Sequence, residues 1–120
     1  MNTNTKTLII NGVEYVEKSQ SANSVVVDNY SIVRTYSAGA HAGEIIKKEG
    51  DEITLKNARR LWRWAGAASL SQLAMEGVSK PKQCKFPREV TQITLKQWIE
   101  IIPCTKKAME SIKGVSIWTA

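Results

Sequence analysis

The segment from Gly43 to Leu55 constrains the fold of this chain more than any other. Ile45-Ile46 and Ile53-Thr54-Leu55 flank Gly50-Asp51, with charged residues gathered around that pair. β-Branched side chains suit a pleated surface, and glycine accepts the positive φ that a tight reversal needs, so the pattern predicts an antiparallel hairpin. The same grammar recurs along the chain. Leu8–Val16 carries Asn11-Gly12 at its centre and predicts a first hairpin with a type I′ turn. Val25–Val27, Ser31–Tyr36, Val90–Leu95 and Trp98–Ile102 read as strands, and Val115–Trp118 as a terminal one.

Helical signals are fewer and shorter. Ser69 can cap a helix running to Glu76, with Gln72 three positions later completing a capping-box pattern. Leu70, Leu73 and Ala74 supply its apolar stripe, and Gly77 its stop. Thr105 can cap a last short helix carrying Ala108, Met109 and Ile112, closed by Gly114. Residues 18–24 have little to bury and read as a connector, dividing an N-terminal hairpin and linker (1–24) from a compact domain (25–120). The predicted class is α+β: a single domain of mainly antiparallel β-sheet with two short helices, plus the N-terminal β-hairpin.

With 120 residues, the chain has material for one domain. No apolar run approaches the roughly 20 residues that a membrane-spanning helix needs, and residues 1–6 lack the features of a signal peptide. A cytoplasmic location with no membrane association is the expectation. Cys84 and Cys104 are the two cysteines and His41 the one histidine. Two thiols in that compartment are expected to stay reduced and partly buried, and no zinc ligand set is available, so neither metal nor cofactor is expected.

Charge is unevenly placed. Residues 1–55 hold five basic and seven acidic side chains, a net −2, whereas residues 56–120 hold twelve and four, a net +8. Such an asymmetry suggests either an electropositive face for anionic partners or a solvated, solubilising surface. Within the basic half, Arg59-Arg60-Leu61-Trp62-Arg63-Trp64 places three guanidinium groups beside two indoles. Guanidinium matches phosphate bidentately, and indole offers a face for stacking. If 58–64 continues the sheet, Arg60, Trp62 and Trp64 share one face and Arg59, Leu61 and Arg63 the other. Two readings stand: tryptophans in the core with solvated arginines, or at least one arginine and one aromatic facing a ligand. The small-residue turn Ala65–Ser69, leading into a helix start, adds amides suited to an anion.

Tyr36–Gly43 joins two predicted strands through small residues. Gly39 and Gly43 could let backbone amides approach a ligand, with Ser37 and His41 as polar handles, or could simply permit a tight bend or bulge. The stretch fits neither a P-loop nor a dinucleotide fingerprint. His41 has no neighbouring carboxylate, cysteine or serine arrangement that announces a triad, so no catalytic residue is assigned and a non-enzymatic role is expected. Lys80, Lys82, Lys85 and Arg88, with Phe86 interleaved, could follow a phosphate backbone or be an ordinary exposed loop.

Ala58–Ala74, followed by Ile99–Thr105, resembles a family of small uncharacterised phage and prophage proteins; Tyr36–Gly43 and Val115–Trp118 fit the same pattern. The resemblance covers roughly residues 30–120 and carries no activity to transfer. It implies a phage accessory protein acting in the host cytoplasm by binding, plausible targets being a host anti-phage defence signal or a host protein. The resulting expectation is a non-enzymatic protein holding an anionic, nucleotide-like small molecule. Arg59, Arg60 and Arg63 would hold phosphate, Trp62 or Trp64 would stack, and Ser37, Gly39, His41 and Ser69 would complete the site. A homo-oligomer is expected, because a small domain has little interior to give to a ligand. The alternatives are an inhibitor docking its basic face on a host protein, and a nonspecific nucleic-acid binder.

Overall fold

The computed structural model describes residues 26–119. The predicted first hairpin and the 18–24 connector lie outside the described residues. Five antiparallel strands, β1 (Val26–Thr35), β2 (Ala40–Glu49), β3 (Glu52–Arg60), β4 (Val90–Lys96) and β5 (Trp98–Thr105), form one sheet in the order β4-β3-β2-β1-β5. Two helices, α1 (Leu70–Glu76) and α2 (Lys106–Gly114), pack on one face of it. The predicted α+β class, mostly antiparallel sheet with two short helices, is the observed architecture.

The sheet is strongly curled, and its connectivity says why. β4 and β5 are opposite edges, yet only Gln97 joins them. Successive Cα atoms lie about 3.8 Å apart, so Lys96 and Trp98 are held within roughly 8 Å and the two edges must converge there. The Trp98 indole N–H donates to the Gly50 carbonyl at 3.1 Å, tying this corner to the β2–β3 turn. The curl encloses a first core of Val33, Ile53, Leu55, Ala58 and Leu95, flanked by Ile45, Ile93 and Ile101, so that all five strands contribute. The opposite face carries the larger core: Tyr30, Ile32, Ala42, Leu61, Phe86 and Cys104 against Leu73 and Ala74 of α1 and Ala108 and Ile112 of α2.

Both helices start where the side chains dictate. Ser69 Oγ accepts from the Gln72 amide at 3.1 Å. Gln72 Oε1 reaches back to the Ala68 amide at 2.8 Å, one residue before the expected capping-box position. Gly77, at φ 78°, ends α1 by donating to Leu73 O. Thr105 Oγ1 accepts from the Ala108 amide at 3.1 Å and donates to Met75 O at 2.7 Å, so one hydroxyl caps α2 and fastens the end of α1.

Three strand boundaries differ from expectation. Val25–Val27 and Ser31–Tyr36 are expected as separate strands, but β1 runs unbroken from Val26 to Thr35, with Asn29 at φ 67° and a register shift between Val26 and Ser31; Val25 lies outside the described residues. Asparagine tolerates the left-handed region, which lets one strand absorb a bulge rather than break. The sheet does not continue to Trp64: β3 ends at Arg60, and beyond it only Arg63 pairs, with Lys85. The terminal segment forms a single parallel bridge, Ile117 with Phe86, rather than a strand.

A second bulge decides what the basic cluster can do. Ala42 pairs with Arg59 but Glu44 with Lys56, so Asn57 and Ala58 oppose Gly43 alone, and Asn57 sits at φ 52°. The extra residue reverses the side-chain parity of β3. Ile53 and Leu55 share the concave face with Ala58, and Arg59 turns to the helix side. Gly43 is needed at this point, since an added Cβ would lie 3.0 Å from Ala58 Cα and 3.1 Å from Lys56 O. Among the two readings of the small residues there, this is the bulge.

Candidate functional site: a groove between the β1–β2 turn and the Arg60–Trp64 segment

The β1–β2 turn is held by one threonine. Thr35 Oγ1 donates to Gly39 O at 2.8 Å and accepts from the Ala38 amide at 2.8 Å, while Gly39 takes φ 81°. The turn stands beside the chain leaving β3, where Arg60 donates through a terminal guanidinium nitrogen to Ala38 O at 2.9 Å. Between them lies a groove of about 400 Å³ lined by Arg34, Tyr36, Ser37, Gly39, Arg60, Trp62 and Trp64, with Leu70 at its end. The Arg60 guanidinium lies over the Trp62 ring, 5.5 Å from its centroid. Trp62 is 60% exposed and Tyr36 78%, large values for aromatic rings whose burial would stabilise the fold. Trp64 is half-buried: it packs against the helix-side core and also lines the groove.

Five of the nine sequence-predicted site residues therefore converge: Ser37, Gly39, Arg60, Trp62 and Trp64. Arg34 and Tyr36 also line the groove without being among those nine. Arg34 lies in a predicted strand after the apolar pair Ile32-Val33, Tyr36 belongs both to that strand and to the Tyr36–Gly43 turn, and the pairing of Arg34 with Ala40 brings both beside the groove. Arg34 Nε also meets Glu100 at 3.1 Å in a half-exposed ion pair, a modest restraint that leaves the terminal nitrogens for other acceptors.

The remaining four residues lie elsewhere. Arg59 is buried, 3% exposed, and its guanidinium donates to Pro87 O (2.9 Å), Ile112 O (2.8 Å) and Phe86 O (2.9 Å) while lying over the Phe86 ring. It is a fastener between β3, the 86–87 segment and the C-terminal end of α2, where a cation is favoured. Burial lowers its pKa below the ordinary value, and nearby Glu89 opposes that. His41 is buried in β2 rather than placed on a loop, opposite Val33 on one side and Arg60 on the other, and its Nδ1 has no hydrogen-bond partner. Burial, reinforced by the Arg60 charge, lowers its pKa to about 4, so it is neutral at pH 7. Arg63 is exposed and its backbone pairs with Lys85, outside the groove lining. Ser69 spends its hydroxyl on the helix cap.

The small-residue turn already engages two of the amides expected to suit an anion. The Ala65 amide donates to Cys84 Sγ at 3.3 Å and the Ala68 amide to Gln72, so these donors are taken. In the lysine-rich segment, Phe86 is fully buried in the core and interleaves with nothing at the surface. Cys84 and Cys104 are free, buried thiols, and burial pushes Cys104 up to about 12. Among the described residues no group of His, Cys, Asp or Glu forms a metal-holding cluster, and no helix is long and apolar enough to cross a membrane.

What the groove offers is recognition chemistry: two guanidinium groups, exposed aromatic faces and a glycine turn. Ser37 has no base beside it, and Thr35 Oγ1 is committed to the turn. No curated protein and no solved structure matches the chain. The family model described as a domain of unknown function (DUF6948) matches residues 28–112, from the first strand through most of α2 and including every groove residue. The chain belongs to that DUF6948 domain family.

Proposed function

We propose that this chain is a non-enzymatic binding protein whose groove receives a small anionic, nucleotide-like ligand. The observation that supports it most is the juxtaposition of Arg60, stacked on an exposed Trp62, with Arg34 and exposed Tyr36 across the same groove. Arg60 and Arg34 would take phosphate oxygens, and Trp62 and Tyr36 would receive the base. Base–aromatic stacking contributes about 1–3 kcal/mol per base, and a groove of about 400 Å³ is within the size range of small-molecule sites. The open side of the groove, where both exposed rings sit, is where a second copy would complete the site in a homo-oligomer. In the biological setting suggested by the phage-protein resemblance, this is a phage accessory protein that sequesters a host anti-phage signal in the host cytoplasm.

Thermal-shift measurements against cyclic and linear nucleotides test the reading. A ligand present at a hundredfold excess over Kd stabilises by about 2.7 kcal/mol, a rise of several degrees in Tm. No shift across a broad panel would sink it. A second reading draws on the same exposed rings, because tryptophan, tyrosine and arginine also dominate protein–protein contacts. It predicts a stoichiometric host partner captured without nucleotide, and loss of capture in Trp62→Ala.

A further inference from the structure

Arg59 and Arg60 alternate onto opposite faces of β3, the Asn57 bulge sets which face each takes, and on the Arg59 side lies a second groove, of about 430 Å³. It is lined by Asn57, Arg59, Arg88, Glu89, Lys113 and the apolar Val90 and Ile117, among others. Arg59 is 3% exposed and belongs to this lining. Three of its N–H groups donate to carbonyls, which leaves two of the five that a guanidinium carries. Its hydrogen-bond partners are neutral carbonyls, its face lies on the Phe86 ring, and Glu89 acts on it without a direct ion pair. Among the described residues none of Arg59, Arg88 or Lys113 makes an ion pair. A buried cation without a contacting counter-charge is costly, and its cost falls when an anion settles beside it.

The geometry points to a second ligand site here, for a phosphate monoester bearing an apolar group, independent of the Arg60–Trp62 groove. Three cations against the one carboxylate of Glu89 leave a net charge of +2 in the lining. That balance suits a monoester, which carries about −1.5 to −2 at pH 7, better than a backbone diester with one charge per phosphate. Val90, 46% exposed, and Ile117, 59% exposed, give the organic part an apolar rim. The C-terminal segment is pinned here by the Trp118 amide donating to Phe86 O at 3.0 Å, the carbonyl that Arg59 also holds. Floor and rim therefore move together.

Phenyl phosphate is the probe, titrated into the full chain at low salt while the Arg59 Nε–H resonance is followed by nitrogen-15 NMR. Saturable movement of that resonance is expected. Arg88→Gln/Lys113→Gln should weaken Kd about tenfold, and Glu89→Gln should tighten it about threefold, each within the range of single charge contacts. Both cations are exposed, and Arg88→Gln alone keeps the test intact if the double variant folds poorly. Arg60→Gln should leave this titration unchanged, which separates its failure from failure of the other groove. An unmoved Arg59 resonance, an unaltered Kd in both variants, or equal affinity for an oligonucleotide lacking terminal phosphates would overturn the proposal.

Discussion

Arg59 and Arg60 are chemically identical neighbours with opposite fates, and one residue of backbone decides between them. Arg59 is enclosed and satisfies three carbonyls, whereas Arg60 stands over an exposed indole. Replacing Arg59 with methionine should therefore cost about 3–5 kcal/mol in urea denaturation, because Phe86, Pro87 and Ile112 lose a shared donor. Lysine should not rescue it, since a point charge cannot reach three separated acceptors. Arg60→Gln should change stability by no more than about 0.5 kcal/mol. His41 supplies a pH signature. Its folded pKa of about 4 lies below the unfolded value of 6.5, so the unfolded chain binds a proton that the folded one refuses. This contribution is fully present above pH 6.5, falls as pH drops toward 4, and amounts to about 3 kcal/mol across that window. His41→Leu should flatten that part of the stability profile relative to the parent, a difference readable from urea midpoints at pH 7 and pH 4.5.

At the scale of elements, the local signals were legible and the long-range ones were not. Ser69, Gly77 and Thr105 act at the helix ends as their side chains predict, because caps depend on residues three or four apart. The Gly50 hairpin formed for the same reason. Bulges at Asn29 and Asn57 were hidden, because an asparagine that takes positive φ within a strand looks like one that ends it. Since the Asn57 bulge sets parity, the faces of 59 and 60 could not be assigned to core and groove from alternation alone. Thr105→Val is the sharpest test here. It removes both the α2 cap and the donor to Met75 O, and should cost about 1–2 kcal/mol in equilibrium unfolding. Serine at the same position should recover most of that.

For the whole molecule, a curled sheet with helices on one side divides a basic half-sequence into two grooves. The Arg-Trp cluster is contiguous in sequence, but folding keeps only Arg60, Trp62 and Trp64 in the groove and adds Arg34 and Tyr36 from β1 and the turn. Sequence proximity could not supply those partners, which come from about 26 residues upstream across two strand pairings. The most direct measurement is calorimetric titration of a nucleotide that shifts Tm into the parent protein, Trp62→Ala and Arg88→Gln. Binding in the Arg60–Trp62 groove predicts an affinity lowered by about tenfold or more in Trp62→Ala, the loss of one stacking contact, with Arg88→Gln unchanged. Parent-like affinity in Trp62→Ala would contradict it.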